Sequence, residues 1–225
     1  MKILIVTTNC HTLAPDHPTG VWLEEYALPY TELDEIGAHI VVASPKGGVT
    51  PIDPKTEPDD QQKKDWAQAL EALNDTTPLS EVNAADFDAL FIPGGHGPMK
   101  DLVDDANLQQ LIADFDSSDK VIAAVCHGPA ALLKVRTKEG ELLIKGRKVS
   151  GFTNIEERLV MLHDVVPFLL EDALKDGGGD FESALLPMTS HVVRDGNLIT
   201  GQNPASTKKI TKELLEALSA MPATT

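Results

Sequence analysis

The sequence predicts an α/β fold built on a doubly wound, mostly parallel central sheet. Short apolar, β-branched runs recur along the chain, helical patterns fill the intervals between them, and 42% of the 225 residues are hydrophobic. Runs apolar on both faces suit central strands covered by helices, and β-α-β-α alternation implies parallel crossover connections. The length fits a single domain over residues 1–225, with no internal repeat and no low-complexity linker.

Taken in order, the first strand is read at residues 2–7, Lys-Ile-Leu-Ile-Val-Thr. A helix over 21–36 follows, because Trp22, Tyr26, Tyr30 and Leu33 recur at helical spacing. Pro29 lies inside it and removes one backbone donor, so a kink or break is expected. A second strand spans 39–44. Gly47-Gly48 and the proline-rich stretch 51–60 then form a surface excursion ahead of a polar helix over 61–73. Strands at 89–93 and 121–126 alternate with helices at 105–115 and 128–133. A fifth strand is read at 148–151 and a short helix at 167–175, with Pro167 in its first turn and Gly177-Gly178-Gly179 as its stop. The last strand falls at 197–200 and the terminal helix at 207–218, where Asn203-Pro204 supplies a cap.

Charge narrows the partners. Against 35 acidic residues stand 19 Lys+Arg, a net charge of −16, and no basic cluster is available for phosphate contacts. Nucleic acid and anionic membrane surfaces are therefore excluded as expectations, and a small or neutral partner is left. No apolar run approaches the roughly 20 residues that span a bilayer. The N-terminus reads as a strand rather than a signal peptide, so a cytoplasmic location is expected. Cys10 and Cys126 are far apart and are read as free thiols.

The most informative stretch is Val121-Ile-Ala-Ala-Val-Cys126-His127-Gly128-Pro129. A buried strand that runs straight into a helix lifts one side chain to the carboxyl edge of the sheet, where ligands of open α/β folds bind. Gly128 lets the backbone pass close, and a helix N-terminus facing Cys126 would favour its thiolate. The other reading is an inert buried cysteine ending a strand. A second turn, Pro93-Gly94-Gly95-His96-Gly97, also follows a strand, and consecutive glycines can present N–H groups to an oxyanion. The absence of Lys-Ser/Thr after it excludes a P-loop. Cys10, His11, Asp16 and His17 could be drawn as a zinc set, but they lie in a polar loop with no second pair, which favours a solvated or pocket-rim loop.

Those two turns, with Gly20-Val-Trp-Leu-Glu-Glu25, resemble the superfamily of PfpI-type proteases and the Parkinson-associated deglycase. That resemblance implies the class I glutamine amidotransferase-like fold, a flavodoxin-like three-layer α/β/α sandwich. Ser44-Pro45-Lys46-Gly47-Gly48 and Pro51-Ile52-Asp53-Pro54 narrow it to the heat-shock-chaperone branch, which includes glutathione-independent glyoxalase III. Gly151-Phe152-Thr153 and the stretch from Gly201 to Ser206 extend it almost to the end of the chain. The resemblance implies that Cys126 is the nucleophile and that an acid on the helix after the first strand contacts its sulfur. Family spacing to Gly20 and Pro29 selects Glu25 over Glu24. It implies further that His127 pairs with a downstream acid, Glu157 ahead of Glu156. Gly94, Gly95, His96 and Gly128 are assigned to the oxyanion site and pocket.

No metal and no organic cofactor is implied. The implied reaction is of the glyoxalase III, hydro-lyase type. Methylglyoxal is captured as a Cys126 hemithioacetal and released as lactate, in a homodimeric stress-response enzyme whose partner is a small reactive aldehyde. A cysteine peptidase or amidase, a protein deglycase and a redox-responsive holdase chaperone are the alternatives.

Overall fold

A computed structural model of the chain describes residues 1–220. Its centre is a seven-stranded sheet. β1 (Lys2–Val6) runs parallel to β4 (His39–Ser44) on one side and β6 (Ala89–Ile92) on the other. β7 (Val121–Val125) pairs parallel with β6, and β11 (Leu198–Gly201) pairs parallel with β7. The two edges are β5 (Thr77–Pro78), parallel to β4, and β10 (Val192–Asp195), antiparallel to β11. β2 (Thr12–Ala14) and β3 (His17–Pro18) form a separate small hairpin.

The central strands have no solvent face. Every residue of β6, β7 and β11 is buried, which is why they read as continuous apolar runs rather than alternating ones. α1 (Leu23–Glu35) packs on α7 (Thr207–Ser219) and on α3 (Ala67–Ala72), while α4 (Ala106–Ser117) covers β6 and β7. α2 (Gln62–Asp65), α5 (Asn154–Leu159) and α6 (Leu170–Asp176) complete the helices. The strand order reverses at β1, because the chain moves from β4 to β6 across it. The crevice at the carboxyl ends of β1, β6 and β7 is therefore the expected binding place.

The structure corrects the predicted elements in several places. The segment at 148–151 is not a central strand. Its two strand residues, β8 (Lys148–Val149), pair with β9 (Asp180–Phe181) in a ribbon outside the main sheet. The edge strand β10 has no counterpart among the expected strands, because its half-buried pattern Val-Val-Arg-Asp carries too short an alternation. The helix expected over 128–133 is a five-residue 3-10 segment, Gly128–Leu132. The polar helix over 61–73 divides at Trp66 into α2 and α3. α6 starts at Leu170, so Pro167 lies outside it. α1 runs unbroken through the buried Pro29, which leaves the Glu25 carbonyl without its usual i+4 donor.

Candidate active site

Cys126 stands immediately after β7 with φ 61°, the left-handed region that a residue with a Cβ rarely takes. Such a conformation costs on the order of 1–3 kcal/mol and persists only where the surroundings over-determine it. Here they do. The Cys126 N–H donates to the Gly201 carbonyl at 2.9 Å, and its own carbonyl accepts from the Phe152 N–H at 3.0 Å. Both peptide groups are thus pinned to neighbouring segments while the side chain points into the crevice. Gly128 makes the elbow possible, since a Cβ there would lie 2.4 Å from the Ile92 carbonyl oxygen.

Glu25 projects from the first turn of α1 and is fully buried, whereas its neighbour Glu24 is exposed. Burial is the main reason its carboxyl is pushed up to about 8, against partial compensation from Cys126 and the Gly94 N–H. Glu25 is therefore a neutral acid at neutral pH. The Gly94 N–H donates to Glu25 Oε2 at 2.9 Å. That bond corrects the oxyanion role expected of Gly94, whose donor is already used. Its lack of a Cβ matters as much, because one would lie 2.6 Å from Glu25 Oε2 and 2.8 Å from Cys126 Cβ. The Gly95 N–H is the glycine donor that reaches the sulfur.

Burial pushes the Cys126 thiol up, the adjacent Glu25 adds to the effect, and the Gly95 N–H only opposes it. The expected thiolate at a helix N-terminus is not supported, for a physical reason. The 3-10 segment after Cys126 is too short to build a macrodipole, and Cys126 is only 3% exposed. For this sulfur to act as a nucleophile, a base has to take the thiol proton.

His127 is placed to do so. Its Nδ1 lies 3.4 Å from Cys126 Sγ, and its Nε2 lies 2.7 Å from Glu157 Oε2. Burial, helped by the neighbouring His96, pushes His127 down to about 4 against the pull of Glu157, so the ring is neutral at pH 7. Glu157 is also buried, which by itself would raise its pKa. Hydrogen bonds from His127 and His96 outweigh that and hold the carboxyl at about 2. A carboxylate only accepts, so the neutral His127 carries its proton on Nε2 and offers a lone pair at Nδ1 to the sulfur.

His96 completes the cluster. Its Nε2 is 2.8 Å from the other Glu157 oxygen, and its ring lies 4.0 Å from that of His127. The glycine turn thus supplies a second imidazole on the same acid, a pairing that sequence spacing did not signal. Glu157 is carried by α5, whose capping box joins Thr153 and Glu156. Glu156 faces away from His127 and bonds Thr153, Gln202, Asn203 and the Met188 N–H.

Among the described residues, His96, His127 and Glu157 are the only His/Cys/Asp/Glu group whose ligand-type atoms converge as a metal site would require. Both imidazole Nε2 atoms already hydrogen-bond to the carboxylate. Cys10, His11, Asp16 and His17 do not converge, and Cys10 Sγ bonds the Thr12 carbonyl.

These groups open onto a cavity of about 140 Å³ walled by Trp22, Phe152, Val160, Met188 and Pro204. This space is well below the ~300 Å³ or more of pockets for larger ligands and suits a small substrate. Met188 and Val160 carry no motif, and only the fold brings them here. A larger groove of about 630 Å³, along Met99, Val103, Leu133 and Phe168, contains none of the reactive groups.

Residues 18–217 match the DJ-1/PfpI family. A curated relative, the glutathione-independent glyoxalase hsp3101 of Schizosaccharomyces pombe, is 29% identical over 98% of this chain and 97% of its own. Among solved structures, the Francisella tularensis Rapid Encystment Protein 24 KDa superposes with a TM-score of 0.91 at 36% identity, covering 96% of this chain and 98% of that one. Glyoxalase III from Candida albicans superposes with a TM-score of 0.88 at 26% identity, covering 96% and 97%.

Proposed function

The chain belongs to the DJ-1/PfpI family, and from that premise we propose that it is a glutathione-independent glyoxalase acting on methylglyoxal or an aldehyde of similar size. The observation that carries the reading is one continuous arrangement. A thiol lies 3.4 Å from a neutral imidazole, that imidazole is bonded to a carboxylate, and a neutral carboxylic acid adjoins the sulfur, all at the end of a 140 Å³ cavity. Two relatives that match the chain nearly end to end bear glyoxalase names, which supports the same reading.

In this mechanism His127 Nδ1 takes the Cys126 proton as the sulfur attacks the aldehyde carbon. The new C–S bond forms as the carbonyl π electrons move to oxygen, which takes the proton of Glu25 to give the hemithioacetal. Glu25, now a carboxylate, removes the C1 proton while the His127 imidazolium protonates the C2 oxygen, giving the enediol. Glu25 then delivers its proton to C2 and takes the C1 hydroxyl proton, leaving a thioester of lactate with His127 neutral and Glu25 protonated again. Water activated by His127 cleaves that thioester and restores the thiol. The sum is addition of one water to methylglyoxal, with no net redox change. Glu157 fixes the His127 tautomer and stabilises the imidazolium, and His96 anchors the far oxygen of Glu157.

The test compares wild type with Cys126→Ala on methylglyoxal without glutathione, alongside a peptidase substrate. Loss of aldehyde and gain of lactate confined to wild type is the expected result. Hydrolysis of the peptide with no loss of methylglyoxal would replace this reading with the amidase one, although an extended peptide does not fit a cavity of this size.

A holdase reading is favoured by a separate observation. Leu185 is 98% exposed and Met161 84%, with Ile155, Leu159 and Leu186 also exposed, an unusual apolar surface for a highly charged chain. Equal protection of an aggregating client by wild type and Cys126→Ala would establish a thiol-independent chaperone activity beside the enzyme.

A further inference from the structure

Glu156 takes no part in the chemistry above, yet it is wholly buried and accepts five hydrogen bonds. Its Oε1 accepts from the Met188 N–H at 2.8 Å, Gln202 Nε2 at 2.8 Å and Asn203 Nδ2 at 2.7 Å. Its Oε2 accepts from the Thr153 N–H and the Thr153 hydroxyl, both at 2.9 Å. Five donors and no acceptor is the complement of a carboxylate and of no other side chain of this size.

The donors come from three separate parts of the chain, and each bears on the catalytic cavity. Thr153 is the N-cap of α5, which carries Glu157. Asn203 precedes Pro204, and Met188 and Pro204 both wall the cavity. The remaining segment, residues 184–189, is largely exposed and has no regular secondary structure. Three bonds tie its backbone to the body: Met188 N–H to Glu156, Ala184 N–H to Gln202 Oε1 at 2.8 Å, and Asn203 Nδ2 to the Thr189 carbonyl at 2.9 Å. All three run through Glu156 or through a side chain that Glu156 holds. Met188 itself has φ 58°, a strained backbone that such ties must maintain.

We infer that Glu156 is a positioning residue that latches the 184–189 strap over Cys126 and so sets the substrate-size limit of the cavity. The strap's Met188 and the Pro204 turn are two of the walls of the space of about 140 Å³. A side chain that cannot accept all five bonds frees the strap, and larger carbonyl compounds then reach the sulfur. Glutamine is such a side chain, since its NH₂ would confront two or three donors. This inference rests on the glyoxalase reading for its substrate class but not for its mechanics.

The experiment uses Glu156→Gln and two pairs of probes. Methylglyoxal and phenylglyoxal report turnover, and iodoacetamide and N-phenylmaleimide report access to Cys126, followed at the Cys126 peptide so that Cys10 does not contribute. The ratio of kcat/KM for phenylglyoxal to that for methylglyoxal should rise about tenfold, within the range that pocket walls control. Maleimide labelling should rise relative to iodoacetamide by a similar factor. Unchanged ratios in a folded variant, with only a lower melting temperature, would reduce Glu156 to a structural residue and overturn the inference. If Glu156→Gln does not fold, Gln202→Ala removes the Ala184 tie and one donor to Glu156. It should shift both ratios in the same direction by a smaller factor, and no shift there also overturns the inference. If wild type does not consume methylglyoxal, the glyoxalase reading fails alone, because the labelling ratio still decides the latch.

Discussion

At Cys126 two carboxyl groups act on one sulfur with opposite charge states, and burial with hydrogen bonding decides which is which. Burial keeps the proton on Glu25 to about 8, while Glu157 has two imidazole donors and loses its proton at about 2. Glu25→Gln should preserve the fold, an acceptor for the Gly94 N–H and a donor toward the sulfur, while abolishing proton transfer. Turnover of methylglyoxal is expected to fall ~10²-fold or more. Glu24→Gln, on the exposed face one residue away, should change rate and stability little. Steady-state kinetics on the two variants separate the assignments. The same substitution bears on the thiol. Its iodoacetamide rate should climb through the alkaline range, above the free-thiol midpoint of about 8.5, and Glu25→Gln should move that climb to lower pH by removing the charge that forms beside the sulfur. A wild-type midpoint below neutrality would refute the burial argument.

The elements matter because each positions one reacting group from a different part of the chain. The β7 elbow presents Cys126, the β6 turn places Gly94 between Glu25 and Cys126, and the first turn of α5 presents Glu157. Gly128→Ala should destabilise the protein by about 2 kcal/mol or more, because its new Cβ would meet a strand carbonyl that cannot move without disturbing β6. Denaturant unfolding measures this directly. Thr153→Ala removes the α5 cap and should cost ~1 kcal/mol. It should also lower kcat more than it raises KM, since it disturbs the turn that carries Glu157 while leaving four of the five hydrogen bonds to Glu156 in place.

For the whole molecule the three shifted groups shape stability against pH. His127 titrates at about 4 in the folded chain against an ordinary 6.5, so its contribution is full above 6.5 and is lost as pH falls through 4. Glu157 adds a further loss between 4.5 and about 2. Glu25 acts in the opposite sense. The folded chain holds a proton that the unfolded chain releases above 4.5, so stability drains as pH rises toward 8. Glu25→Gln should therefore raise stability at pH 9 by an amount on the order of a few kcal/mol and change it little at pH 4. Thermal unfolding across pH 4 to 9 is the measurement, and an equal effect at both ends would contradict the assignment.

The sequence by itself determined the parallel core, the elbow at Cys126 and the glycine turn after β6. These depend on local signals: continuous apolar runs, a strand-to-helix junction and consecutive glycines, each readable within a dozen residues. It also singled out Glu25 and Glu157, through motif resemblance rather than geometry. Segments whose fate depends on distant partners were not legible. Residues 148–151 look like a core strand, yet β8 pairs with β9 outside the sheet, and α6 starts three residues beyond Pro167. Only the tertiary structure decided that the Gly94 donor is occupied, that His96 shares Glu157 with His127, and that Met188 closes the cavity. Each of these is a contact between residues 30 or more positions apart. The protonation states follow from the same source, because burial and hydrogen-bond partners are properties of the packed molecule and have no local signature in the chain.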